Sequence, residues 1–164
     1  MRRRCDFTSS AVIVRDAHGR FALLKRARFP VGIAPASGHI DEHGSPEQAA
    51  VAELAEELGL VVEPSALRAT AVQAQLIHNP CRRLEGDHHY WWVFEVTEFA
   101  GELQPSPDET QGAGWYTEGE LEQLAQRTRD YQAGVVSPDE WEAEPGLEVV
   151  WLDLFAQLGD LRRA

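Results

Sequence analysis

The 164-residue chain predicts an α+β fold, a mixed β-sheet flanked by helices, in one domain spanning residues 1–164. Three observations carry that expectation. Short apolar blocks with strand character occur along the chain, and three helically patterned segments are interspersed among them. No repeat, low-complexity tract or Gly/Ser/Pro-rich linker divides the sequence, and its length suffices to bury a core.

Taken in order, "FTSSAVIV" (Phe7 to Val14) reads as a strand, "DAHG" as a turn, and "RFALLKR" (Arg20 to Arg26) as a second strand, together suggesting a hairpin. The Pro- and Gly-punctuated loop "FPVGIAPASG" leads into an acidic helix. That helix has Ser45 as N-cap, Pro46 at its first position, Gln48 at the capping-box position and Gly59 just past its end. "LRATAVQAQLIH" (Leu67 to His78) reads as a strand and "HNPCRRLEGD" as a loop. "HHYWWVFEVTEF" (His88 to Phe99) is apolar or aromatic on both faces, which places it centrally in a sheet. "GAGWYT" reads as a short strand, followed by a helix from about Glu118 to Arg129. Leu147, Val150, Trp151, Leu154, Phe155, Leu158 and Leu161 then recur at the spacing of a closing amphipathic helix.

A net charge of −12 argues against nucleic-acid polymers and anionic membranes as partners. "MRRRC" starts like a signal peptide, but the apolar "AVIV" after it stops at Arg15-Asp16, and no run reaches the ~18–20 apolar residues of a membrane span. The reading is a soluble cytoplasmic protein in which Cys5 and Cys81 are free thiols.

The acidic helix sets Val51, Leu54 and Leu58 on one face, and Glu53, Glu56 and Glu57 within about a third of the circumference on the other. Like charges at this spacing cost roughly 0.2–0.5 kcal/mol per pair, and Glu56 and Glu57 also lie at the end the helix dipole makes unfavourable for anions. Between Arg28 and Arg68 there is no Lys or Arg to relieve them. A solvated acidic face is one reading; a divalent metal as the missing cation is the other.

The segment "GHIDEHGSPEQAAVAELAEELGL" resembles the Nudix box of the Nudix hydrolases: Gly, five residues, Glu, seven residues, then Arg-Glu-apolar-any-Glu-Glu-any-Gly-apolar. Gly38, Glu53, Leu54, Glu56, Glu57, Gly59 and Leu60 match it, whereas Gly44 replaces the first Glu and Ala52 the Arg. The two strands before the box and "PDETQGAGWYT" after it extend the resemblance, which implies a Nudix-like α/β/α sandwich. In that family the missing pair is understood to support the loop-helix geometry. Losing both partners leaves no orphan charge, so metal binding is expected to persist with Glu53 less firmly held.

The resemblance implies a Mg2+- or Mn2+-dependent pyrophosphohydrolase that cleaves a nucleoside diphosphate linked to another moiety. Glu56 and Glu57 would be metal ligands, Glu53 a ligand or base, and the carbonyl of Gly38 a further contact; Glu109, on a later loop, is the candidate general base. Homodimers are common in that family. For phosphate binding the residues offer two basic clusters, Arg26 with Arg28 after the second strand, and Arg82 with Arg83 in the later loop. His88 and His89 are adjacent in a strand and point to opposite faces, so they do not readily share a metal; His39 and His43 read as substrate contacts or solvated loop residues. Tyr90, Trp91, Trp92 and Trp115 read mainly as packing. The alternative to an enzyme is a Nudix-like nucleotide-sensing module with little or no turnover, favoured by Gly44 and Ala52. The retained glutamate triad favours the enzyme.

Overall fold

A computed structural model describes residues 1–162. Its frame is a parallel pair, β1 (Thr8–Val14) against β7 (His88–Val96), in register from Thr8 opposite Tyr90 to Val14 opposite Val96. Antiparallel β4 (Ala36–Gly38) lies on the other edge of β1, while β5 (Arg68–Ala69) and β6 (Gln75–His78) pair antiparallel with β7. A second, antiparallel sheet runs β3-β2-β8, from β2 (Phe21–Arg26), β3 (Ile33–Ala34) and β8 (Thr110–Tyr116). β7 is central, as its two apolar faces require.

Alternate residues of the strands feed two cores. Ala11 and Ile13 of β1, Phe21 and Leu23 of β2, and Trp91 and Val93 of β7 pack with α2 (Glu118–Gln132) and α4 (Val149–Leu158). Val12 and Val14, Ala22 and Leu24, and Phe94 and Val96 pack instead with α1 (Pro46–Leu58) through Ala50, Leu54 and Leu58. Helices thus cover opposite faces, which is the α/β/α sandwich expected. Trp91 and Trp151 meet edge to face with ring centres 5.6 Å apart, tying β7 to α4.

Four expectations are corrected. β1 and β2 do not form a hairpin: after the turn closed by Asp16 on the backbone of His18 and Arg20, their ladder pairing is limited to the isolated Arg15–Phe21 bridge just beyond β1. Both edges of β1 are already filled, by β4 and β7, so β2 joins the other sheet. Residues 67–78 do not form one strand, because the ladder breaks at 70–74. There the Thr70 amide and hydroxyl and the Gln73 side-chain amide all donate to the Val93 carbonyl, and Ala74 turns at φ 53°. An unanticipated fourth helix, α3 (Pro138–Ala143), has a complete Ser137/Glu140 capping box and stacks Trp141 on Tyr131 with ring centres 4.3 Å apart. The closing helix is shorter than its pattern, with Leu147 and Leu161 buried just outside its ends.

The helix α1 is seated as its sequence directs. The Ser45 hydroxyl accepts from the Gln48 amide at 3.1 Å, and Gly59 closes the other end at φ 70°. Leu54 is fully buried. Leu54→Ala is expected to cost about 2–5 kcal/mol, read from the urea unfolding midpoint, because it opens a cavity under the helix that carries the acidic residues.

Candidate functional site

The C-terminal turn of α1 has carbonyls without intrahelical partners, and the chain after β7 supplies donors. The amides of Gln104 and Ser106 donate to the carbonyls of Leu58 and Glu57 at 2.8 and 3.0 Å. This strings the following loop along α1 and brings Glu109 towards Glu57. The Glu109 carbonyl in turn accepts the Ala27 amide at 3.1 Å, so the end of β2, with Arg26 and Arg28, reaches the same place. From the opposite side β4 ends in Ser37 and Gly38 beside α1.

These segments enclose a cavity of about 180 Å3 lined by Arg26, Arg28, Ser37, Gly38, His39, Glu53, Glu57, Arg82, Arg83 and Glu109. The residues offered by the sequence for metal, base and phosphate roles all line it except Glu56, which is exposed on α1 next to it; of the two loop histidines, His39 lines it and His43 does not. The face is not a solvated acidic stripe. Glu57 is only 6% exposed, and its Oε1 accepts the Ser37 amide at 2.8 Å. A Cβ on Gly38 would lie 2.2 Å from Glu53 Oε1, so glycine is what admits the Glu53 carboxylate against this strand end.

Burial, then the charges of Glu57, Glu56 and Glu109, push the Glu53 carboxyl up from 4.5 to about 8, with Arg26 opposing. Burial likewise pushes Glu57 up to about 8, against the Ser37 amide and Arg26. Their carboxylate oxygens are hard donors suited to a hard divalent cation.

The cations are arranged unequally. Arg83 is committed to a two-point ion pair with Asp41 at 2.8 and 2.7 Å, fixing its loop to the turn before α1. Arg26 donates to the Pro30 carbonyl at 2.8 Å and lies 3.7 Å from the buried Glu148 carboxylate. Arg82 and Arg83 also line a larger groove of about 670 Å3 with Arg2, Arg3, Met1, Phe29 and Cys81. Arg82 and Arg83 thus join the carboxylate cavity to a second groove lined by the N-terminal Arg2 and Arg3.

At the two positions that depart from the box, Gly44 has φ 90°, a conformation that strains any residue bearing a Cβ, and Ala52 is half-buried. His43 Nε2 stands 3.9 Å from Glu53 Oε1 on that side.

Sequence reasoning missed the Ser37 amide, Glu148, and the cluster that His39, read as a substrate contact or solvated loop residue, forms with Cys5, Cys81 and His89. The first two have no local signature. The third is spread over four separate segments, with no paired-cysteine spacing to reveal it. The aromatics are mainly structural: Trp91 is buried with its indole N–H on Asn79 Oδ1 at 3.1 Å, and Trp115 stacks on Phe99, although Tyr90 is exposed.

Comparison with known proteins gives the relationship. A NUDIX domain profile matches residues 7–137. No curated protein sequence matches. Among solved structures, a MutT protein from Methanosarcina mazei superposes with a TM-score of 0.61 at 15% identity, covering 93% of this chain and 92% of that one. An Ap4A hydrolase from C. elegans, solved as a binary complex, gives a TM-score of 0.52 at 18% identity over 78% of this chain and 98% of the other. The NUDIX domain of Shewanella oneidensis NrtR, complexed with ADP ribose, gives 0.55 at 17% identity over 73% and 78% of the two chains. These likenesses concern the fold, whereas the profile spans most of the sequence: the chain belongs to the Nudix family of hydrolases, which act on pyrophosphate bonds.

Proposed function

We propose that this protein is a divalent-metal-dependent pyrophosphohydrolase acting on a nucleoside diphosphate linked to another moiety. The observation that carries the reading is the cavity in which Glu53, Glu57 and Glu109 converge beneath a rim of arginines. Glu53, Glu56 and Glu57, with Gly38 beside them, would hold Mg2+ or Mn2+, and the buried, mutually repelling carboxyls are the kind of site such an ion relieves. When bound, the ion would neutralise phosphate charge and lower the pKa of water.

The chain's own groups divide the remaining work. Arg26, Arg28 and Arg82 hold the phosphates, and Arg83 keeps the loop of Arg82 in position through Asp41. Glu53 or Glu109 takes a proton as water oxygen bonds to phosphorus and the bridging anhydride bond breaks. The ADP ribose and Ap4A of the structural relatives' names belong to the proposed substrate class. A reducing, cytoplasmic setting suits the two free thiols. The sensing alternative draws on Gly44 and Ala52, and the same assay separates the two.

Phosphorus NMR with a panel of nucleoside triphosphates, nucleotide sugars and dinucleotides, with and without Mg2+ or Mn2+, is expected to show metal-dependent products. Glu57→Gln is expected to abolish them while leaving the fold at least as stable, because a neutral amide avoids burying an ionisable carboxyl and keeps an acceptor for Ser37. Silence across the panel with metal still bound would favour the sensor. Undiminished turnover in the variant would remove Glu57 from the metal set.

Gly38→Ala is expected to displace the Glu53 carboxylate and lower turnover about 100-fold, with a much smaller change in thermal midpoint. A variant of wild-type activity would show that the close approach of Glu53 to β4 is dispensable.

In metal-free protein the folded state keeps the Glu53 and Glu57 protons up to about pH 8, whereas the unfolded chain loses them near 4.5. More protons bound when folded means that stability falls as pH rises across that window. Unfolding in chelator at about pH 5 and about pH 8 should show the fall, and added Mg2+ or Mn2+ should reduce it at the higher pH. A flat metal-free profile would contradict the burial of this pair.

A further inference from the structure

Beside the carboxylate cavity lies a second cluster of wholly different chemistry. Cys5 comes from the N-terminal segment, His39 from the turn after β4, Cys81 from the 79–87 loop and His89 from β7, and their donor atoms all lie within 4.8 Å of one another. Cys5 Sγ is 3.2 Å from His89 Nε2 and 3.5 Å from His39 Nε2; Cys81 Sγ is 3.8 Å from His39 Nε2 and 3.9 Å from Cys5 Sγ. Tetrahedral ligation at normal Zn–S and Zn–N lengths requires donor separations of about 3.3–3.8 Å. The four measured edges therefore fall close to those of a zinc tetrahedron.

The surroundings fit as well. Each sulfur accepts a backbone amide two residues on, Phe7 N–H to Cys5 at 3.3 Å and Arg83 N–H to Cys81 at 3.4 Å, the outer-shell support that thiolate ligands need. Gly86 clears room for Cys81: a Cβ there would sit 2.2 Å from its sulfur. Cys5 and His89 are 5% and 1% exposed, so a charged occupant must be matched from within.

We propose that Cys5, His39, Cys81 and His89 form a structural zinc site, a second metal centre distinct in donor chemistry from the carboxylate cavity. On binding, the two thiol protons pass to solvent, and two thiolates with two neutral imidazoles balance the dication to zero net charge. Soft sulfur and imidazole donors select zinc here, as hard oxygens select Mg2+ or Mn2+ in the neighbouring cavity. Four protein ligands close the coordination sphere, so the ion holds structure and hydrolyses nothing. It clamps the N-terminal segment to the Gly38–His39 turn and to the loop of Arg82 and Arg83, fixing one wall of the cavity.

The test is independent of any hydrolysis assay. Protein purified under reducing conditions, without chelator or metal-affinity resin, is expected to carry about one zinc per chain by elemental analysis. Titrating the reduced, metal-stripped protein with Co2+ should produce the thiolate charge-transfer and tetrahedral d–d absorption bands, undisturbed by excess Mg2+. Cys81→Ser should weaken the charge-transfer band and the zinc content, while Glu57→Gln keeps both. Should Cys81→Ser fail to fold, the wild-type cobalt spectrum decides. Zinc at trace level with no thiolate band would overturn the site. So would a Cys5–Cys81 disulfide in freshly isolated protein, seen as a mass deficit of two hydrogens.

Discussion

Glu53 and Glu57 stand one helical turn apart in a shared cavity, and the surrounding structure can be understood as what it takes to keep two acids there. Leu54 and Leu58 anchor α1 into the core beneath Val12, Leu24 and Phe94, fixing the face on which the carboxyls emerge. The Ser37 amide holds one of them, and the bare backbone of Gly38 makes room for the other. The carbonyls left over at the end of α1 recruit Gln104 and Ser106, which carries Glu109 into the same space. A third acid is thus placed by satisfying a helix terminus, and its charge adds to those that push the Glu53 carboxyl up.

The departures from the Nudix box acquire a physical meaning in this setting. Gly44 occupies a backbone conformation that a glutamate would enter only under strain, and a Cβ there would also approach Gln48 Oε1 to 2.6 Å. The loop has settled into a course for which glycine is the natural residue, with Ala52 making no compensating charge contact. Support for the turn before α1 comes from elsewhere, through the Asp41–Arg83 ion pair and the Asp6 carboxylate on the Asp41 amide.

What was legible in the sequence was local. The ends of α1, the spacing of its glutamates, the central place of β7 and the helix beginning near Glu118 each follow from a few neighbouring residues. The α3 capping box at Ser137 and Glu140 is equally local, but it starts a helix of only six residues with no sustained apolar period. The remainder depends on who pairs with whom. Nothing within residues 8–26 says that β1 will fill its edges with β4 and β7 and leave β2 to another sheet. Nothing within 67–78 says that Thr70 and Gln73 will take over the ladder at Val93. The Cys5, His39, Cys81 and His89 cluster is the extreme case, since each member is unremarkable in its own segment.

The parallel pairing of β1 with β7 also bears on how the chain is made. Thr8 finds its partner at Tyr90, so roughly half of the polypeptide must leave the ribosome before the first strand has its long neighbour. Until then an apolar strand can pair only with the three residues of β4 and must keep its other edge from competing partners. The frame of the sandwich is closed by a long-range contact whose loop entropy has to be met late, so assembly of the two cores is limited by the arrival of β7 and not by the early, locally encoded α1.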